Sequence, residues 1–428
     1  MRLFLLFIFN LLLISGSFAL TIEVPDDYAS IQTAINAVNS FDTILVSPGI
    51  YNEHLNFNGK SIVLKSTDGA GVTTISGSQT HTPVINISTG EVKGTSIEGF
   101  TITGGDRSGV YINGAAVDIR ENIFTGNYNS YNFSGGAIWL ESSVGSKIER
   151  NIIHDNHANN YGGGIYIRDN SSSDTIAYNV FYDNTGTGEI FTSGSTSNII
   201  VYNNTITGSR DGIHHLGHVS YFYNNLIFGN EGSGIYDRYG TATINYNCLY
   251  DNFIDINGNE STVIGTDNIM YLEGELRNYF QNDFTILPYS PCIDAGDPSP
   301  LYNDPDGSRN DIGALPYEEF SPAASLLSLG RVDSKDHIVS EPPHFCFHYF
   351  DSLNPMSAAR IEVDTSFEFS GTPYWASGDI LPIDTCFEYG GIPLQDSVTY
   401  YYRIQVSDGI AWSDWSVNFF RMNAKPTV

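Results

Sequence analysis

One short phrase, repeated, constrains this chain more than its size or composition. It reads Ile119-Arg-Glu-Asn122-Ile-Phe-Thr-Gly-Asn127 and returns around Asn151, Asn179, Asn204, Asn225 and Asn247. These central asparagines step by 29, 28, 25, 21 and 22 residues, and a degenerate copy, Ile97 to Gly105, precedes them. Periods of this size, filled with short β-branched segments and Asn/Gly turns, mean a stacked solenoid. Each coil holds about three short strands that it cannot bury alone, and stacking coils ~4.8 Å apart pairs every strand above and below. Stacked asparagine amides then bond one another and the turn backbone as an internal ladder. A propeller blade needs about twice this period, and no leucine-rich signature is present.

A second phrase sits between the copies: Gly109-Val-Tyr111, Ala137-Ile-Trp139, Gly164-Ile-Tyr166, Glu189-Ile-Phe191, Gly212-Ile-His214 and Gly234-Ile-Tyr236. Its middle residue is always aliphatic, so period-two alternation sends it inward and the next residue outward. The outward row is therefore Tyr111, Trp139, Tyr166, Phe191, His214 and Tyr236. Six coils in register span roughly 25 Å. An exposed ring row of that length predicts a binding surface, and flat rings suit the apolar faces of sugars. The alternative is that long loops fold over the rings. Glu141, Arg168 and Arg238 follow two residues on, again outward, and complete the expected substrate-binding set.

The 48 acidic against 19 basic residues give a formal charge of −29, which excludes nucleic acid as a partner and disfavours a polyanionic sugar unless Ca²⁺ or arginines intervene. Arg2, the apolar run Leu3 to Ile14, and Ser17 and Ala19 read as an export signal, residues 1–19, cleaved after Ala19. The run is shorter than the ~20 residues a bilayer needs, and no later stretch spans a membrane. Among the four cysteines, Cys346 and Cys386 share one C-terminal region and are the expected pair. Cys248 and Cys292 lie about two repeats apart, a separation expected to exceed a disulfide's reach.

The asparagine repeats, with Ile31 to Val38 and Asp42 to Glu53, resemble the pectin-lyase-like right-handed parallel β-helix proteins, found among secreted bacterial polysaccharide-handling proteins. The resemblance covers roughly residues 20–318. It implies a right-handed, three-sheet parallel β-solenoid over 20–320, with the Gly-Ile-aromatic strands in the sheet lining the substrate cleft, in a secreted or cell-surface bacterial protein. With a small β-sandwich expected over 321–428, the chain reads as all-β and is expected to be a monomer. Ile31, Ala34, Ile35 and Val38 form one apolar face of a short helix, N-capped by Ser30, that covers the end of the stack.

Three functional classes remain open: a polysaccharide-binding protein, a polysaccharide lyase or glycoside hydrolase, and a structural surface spacer. Arg210, Asp211, His214 and Asp237 are the candidate catalytic residues, with His215 and His218 as further titratable groups. In related lyases arginine or lysine takes the sugar C5 proton while a cation neutralises the uronate. Hydrolysis needs two carboxylates, for which Asp211 with Asp237, or with Glu189, is conceivable. The chain departs from the enzymes of this class. The paired aspartates, Gly-His-Gly and Arg-Ile-Lys of polygalacturonases are absent, as are the epimerase and methylesterase signatures.

Asn303 to Gly313 looks like the segment that closes such helices. Asp304, Asp306 and Asp311 are spaced as an incomplete Ca²⁺ loop, which Asx-turns explain equally well. Beyond Ser321-Pro322 the repeat stops. Leu394 to Gly409, with Trp412, Trp415 and Phe419 to Met422, resembles a fibronectin type III-like module, Leu394 and Tyr400 matching its tyrosine corner.

Overall fold

The computed structural model describes residues 19–422, apart from 78–80, 130–134, 273, 275, 279–281, 288, 305–306, 316–322, 330–337, 340–342, 351–355, 381–385, 408–411 and 414. The expected signal, except Ala19, and the expected domain boundary at 320/321 lie outside these residues.

Three parallel sheets of 11, 9 and 10 strands wind around a single column of aliphatic and phenylalanine side chains. Each coil lays one strand in each sheet. Val117–Arg120 belongs to the first sheet, Ile123–Phe124 to the third and Ile138–Glu141 to the second. Alternation places Ile119, Ile148, Ile176 and Val201 inward in the first sheet, and Phe124, Ile153, Phe181 and Ile206 inward in the third; all are buried. The rolled sheets thus share one interior, whose coil-by-coil repetition explains why a ~25-residue period suffices.

The predicted ladder forms. Asn179 Nδ2 donates to Asn204 Oδ1 (3.0 Å), Ile148 O (2.8 Å) and Ala177 O (3.0 Å). Its Oδ1 accepts Asn151 N and Asn151 Nδ2, both at 2.9 Å. The same pattern runs from Asn122 to Asn268. Before each asparagine the chain bends through a left-handed residue, as at Arg150 (φ 56°), Tyr178 (φ 57°) and Asn224 (φ 58°). The amide secures a turn whose backbone groups would otherwise be buried without partners.

A second ladder occupies the next bend, through Asn127, Asn156 and Asn184 and then Asn230 and Asn252. Ser209 stands where the intervening asparagine would be, and its Oγ is buried without a partner among the described residues. Glu189 fills the gap: its carboxyl accepts Asn184 Nδ2 at 2.8 Å and Asn184 N at 3.4 Å.

The helix Ile31–Ala37 covers the N-terminal end with Ile31, Ala34 and Ile35 buried, and Ser30 caps it through Thr33 N. Glu53, on the following coil, accepts both Ile31 N and Gln32 N at 2.9 Å. A carboxylate suits the partial positive charge of a helix start.

The C-terminal region forms a three-stranded sheet and a five-stranded sheet that share a core of Phe345, Ile361, Val363, Tyr402, Ile404 and Phe420. Tyr400 is buried, and its hydroxyl accepts Gln395 N at 2.9 Å, the backbone bond a tyrosine corner requires. Cys346 and Cys386 are directly opposite in the antiparallel ladder. The expectation that Cys248 and Cys292 are far apart is wrong. Both lie in one buried cluster on the outside of the third sheet, because the chain doubles back along the solenoid after its last coil.

Candidate functional site

The second sheet carries the predicted aromatic row in register. Tyr111 pairs with Trp139, Trp139 with Tyr166, Tyr166 with Phe191, Phe191 with His214, and His214 with Tyr236. Val110, Ile138, Ile165, Ile190, Ile213 and Ile235 point into the core, as alternation requires. Ring centroids are 4.6 Å apart for Tyr111–Trp139, Phe191–His214 and His214–Tyr236.

The row is not open along its length, which corrects the expected exposed stripe. Trp139 is 7% exposed, Tyr166 5%, Phe191 1% and His214 7%; only Tyr111 and Tyr236, at the two ends, are half-buried. Trp139, Tyr166 and Phe191 form a satellite core with Tyr161 and Leu216 packed over it. Tyr161 lies 4.5 Å from Phe191 and 5.7 Å from Tyr166. The longer coils supply the connection that folds back, and covering three large rings removes apolar area from water.

At the Tyr111 end a polar network borders the covered rings. Tyr111 Oη donates to Glu141 Oε2 and accepts Asn113 Nδ2, each at 3.0 Å. Glu141 stands beside Arg168 in the ladder, with Nη2–Oε1 at 3.6 Å, and Arg168 also pairs with Asp169. The exposed Arg107 guanidinium lies 5.5 Å from the Tyr111 ring centre and 5.3 Å from that of Trp139. Trp139 Nε1 is buried with no hydrogen-bond partner among the described residues. Burial, then the bond to Glu141, pushes the Tyr111 hydroxyl above its ordinary range. It therefore stays a neutral donor and acceptor.

At the other end His214 Nδ1 donates to Asp211 Oδ2 at 2.9 Å. Asp211 Oδ1 accepts Ser233 N at 2.7 Å, which holds the carboxylate in place. The imidazole is stacked on Phe191 and meets Tyr236 edge-on. Its Nε2 makes no hydrogen bond to a described residue. This carboxylate–imidazole arrangement orients a histidine for proton transfer. Arg210 and Arg238 are exposed nearby in sequence, and Arg238 lies over Tyr239 at 4.8 Å.

Two predicted acids do not join this site. Asp237 pairs in register with His215, on the inward side of the strand, and is fully buried. It accepts Gly240 N and Ala242 N at 3.0 Å and Thr262 Oγ1 at 2.7 Å, so it organises a turn. Glu189 belongs to the ladder, where burial drives its pKa well above the usual range and keeps it neutral. His215 is also interior. Burial lowers its pKa, Nε2 donates to His218 O at 3.0 Å, and Thr192 Oγ1 donates to Nδ1. His218 is exposed.

In the closing segment Asp304 accepts Asp311 N at 2.8 Å and Asn310 Nδ2 at 3.3 Å, while Asp311 accepts Asp294 N at 2.7 Å. Asp306 lies outside the described residues. Among the described residues no group of three His, Cys, Asp or Glu side chains is placed to hold a metal ion.

A second aromatic row escaped the sequence reading. Tyr178, Tyr202 and Tyr223 climb the bend between the first and third sheets, half-buried, with centroid steps of 5.5 and 5.4 Å. Tyr302 crosses them, and its hydroxyl bonds that of Tyr223 at 2.7 Å. The signal was present in Val201-Tyr202 and Phe222-Tyr223, where tyrosine recurs immediately after the inward residue. Tyr302 comes from the remote closing segment and carried none.

Residues 83–216 match the family model for the right handed beta helix region. Together with the three stacked parallel sheets, this identifies the fold as a right-handed parallel β-helix. No curated protein matches it in sequence. A solved pectate lyase, Pel9A, is similar at 15% identity and TM-score 0.41, over 68% of this chain and 91% of that one. An alpha-L-rhamnosidase from Dictyoglumus thermophilum is similar at 18% identity and TM-score 0.21, over 24% of this chain. The match spans only 12% of the rhamnosidase's length. Both overlaps are too slight to speak for activity. Among the described residues no helix is long and apolar enough to cross a membrane.

Proposed function

We propose that this chain is an exported polysaccharide-binding β-helix protein whose ligand lies on the outward face of the second sheet, beside the covered rings rather than over them. The observation that carries this reading is the polar row Asn113, Glu141 and Arg168, set in register next to Tyr111 and the Arg107 guanidinium. Sugars are recognised by rings that meet their apolar faces together with hydroxyl, amide and charged groups that fork onto their hydroxyls. The buried cluster of Trp139, Tyr166 and Phe191 lies beside that row. The C-terminal module, read as fibronectin type III-like, serves as a spacer or docking unit.

A glycan array with the intact protein, followed by titration of Tyr111→Ala and Glu141→Gln, tests the reading. About a tenfold loss of affinity or more is expected for each, corresponding to ~1.4 kcal/mol. Binding unchanged in both variants would refute it, as would an intact protein that retains no glycan.

A second reading, a polysaccharide lyase or glycoside hydrolase, is supported by the Asp211–His214 pair. Incubation with pectate, alginate and neutral glycans, followed for unsaturated products and reducing ends, separates it from binding alone. Turnover lost in His214→Gln with binding retained would establish it.

A further inference from the structure

We propose that Cys248 and Cys292 are the two halves of a disulfide that locks the closing segment onto the outer face of the third sheet. The outward side of that sheet is apolar over its last coils, through Val180, Leu226, Phe228 and Cys248. After the solenoid ends the chain returns along it, and Phe284, Ile286, Cys292, Ile312 and Ala314 cover that surface. Polar bonds mark how closely the segment fits. Asn203 Nδ2 donates to Asp311 O at 2.8 Å and Gly313 O at 3.1 Å, Asn224 Nδ2 donates to Asn310 Oδ1 at 2.8 Å, and Ala314 N donates to Thr205 Oγ1 at 3.0 Å.

Both cysteines sit in the middle of this contact and are fully buried, with Cys292 beside Cys248, whose Sγ donates to Leu272 O at 3.7 Å. Cys248 is set on the sheet by pairing with Leu226. Cys292 is set by Ser290 Oγ, which accepts its N–H at 3.2 Å, and by Ile312 N, which donates to its carbonyl at 2.9 Å. A bond between them would join the returning segment to the coils by covalent linkage.

The contact with Cys292, then burial, raises the Cys248 thiol far above its usual range, so the docked pair holds almost no thiolate. The chemistry therefore belongs to the open state, before the segment docks. One cysteine thiolate attacks a disulfide donor, either a low-molecular-weight disulfide or an oxidised dithiol oxidoreductase. The mixed disulfide forms and one donor thiolate leaves. The second cysteine, deprotonated, displaces the other donor sulfur. The two cysteines lose two electrons and two protons, and the donor is reduced to two thiols. Docking then shields the new bond from reductants.

The full chain, folded with oxidised glutathione present, is denatured, alkylated and peptide-mapped without reduction. The expected result is a linked peptide pair containing Cys248 and Cys292, separate from any bond between Cys346 and Cys386. Reduction of the unfolded chain followed by refolding should lower Tm on the order of 5 °C, and closing-segment amides should exchange faster. In Cys248→Ser and Cys292→Ser the difference between the two preparations should shrink to whatever a Cys346–Cys386 bond contributes, and the closing-segment amides should exchange alike in both. Should either variant fail to fold, the wild-type peptide map decides alone. Full alkylation of Cys248 and Cys292 after oxidative folding, or linkage of either to another cysteine, would overturn the proposal.

Discussion

Replacing Asn179 by alanine probes the solenoid at its most repeated bond. The side chain makes five hydrogen bonds at no solvent exposure, two accepted and three donated. Some partners keep a second bond: Ala177 O still accepts Arg150 N, Asn204 Oδ1 still accepts Asn179 N, and Asn151 Nδ2 still donates to Ile119 O and Glu149 O. Asn151 N has no substitute, whereas Ile148 O lies within the parallel ladder and keeps its backbone donor there. An orphaned buried polar group costs ~1–3 kcal/mol, so one of them with the small void amounts to about 2–4 kcal/mol. Asn268→Ala is the internal standard. It makes the same kind of bonds at the end of the ladder, but is half-exposed, and water replaces them for about 1 kcal/mol. Urea unfolding followed by far-UV circular dichroism reads both. Hydrogen exchange at the Asn151 amide localises the effect, since a solenoid can lose its coils in steps. If Asn179→Ala costs no more than Asn268→Ala, the ladder is decoration rather than a source of stability.

Four further outcomes are expected. Trp139→Ala should cost ~3–5 kcal/mol of stability while the surviving folded protein binds glycan as before, because the ring supports the site without facing the ligand; a selective loss of binding would return the ring to the contact surface. Burial raises the Asp174 carboxyl from 3.8 to about 6, with Oδ2 buried and unpaired. A folded-state pKa raised above the unfolded one contributes stability that is fully present below pH 3.8 and lost as pH rises through about 6. At ~1.36 kcal/mol per unit this is about 3 kcal/mol, so Asp174→Asn should remove that slope and stabilise the protein at pH 8, read as Tm against pH. Gly240→Ala would place a Cβ 2.3 Å from His215 Nε2 and 2.8 Å from Asp237 Oδ1, and should cost ~1–3 kcal/mol in denaturant unfolding. Ca²⁺ held by Asp304 and Asp311 would raise Tm of the full chain and EDTA would reverse it; an unchanged midpoint leaves those aspartates as turn residues.

How much was legible in the chain alone follows from what is local. The asparagine phrase and the inward aliphatic position are each written within nine residues. Stacking copies of one phrase leaves little choice of register. Hence the solenoid, the first ladder and the alignment of Tyr111 through Tyr236 were readable directly. The helix over the N-terminal end was equally local, with its Ser30 cap and apolar face.

Coverage and partnership were decided by tertiary structure, because they depend on segments that meet only after the coils have stacked. Tyr161 and Leu216 closing over Phe191 turned a predicted open stripe into a satellite core. Glu189 entered the second ladder because Ser209, one coil on, leaves its place empty. Tyr302 and Cys292 arrive on a strand of chain that runs back across coils laid down long before, so no spacing in the sequence announces their neighbours. Which face a side chain takes is a property of its own strand; whether that face stays wet is settled by whatever remote surface can lower its free energy by covering it.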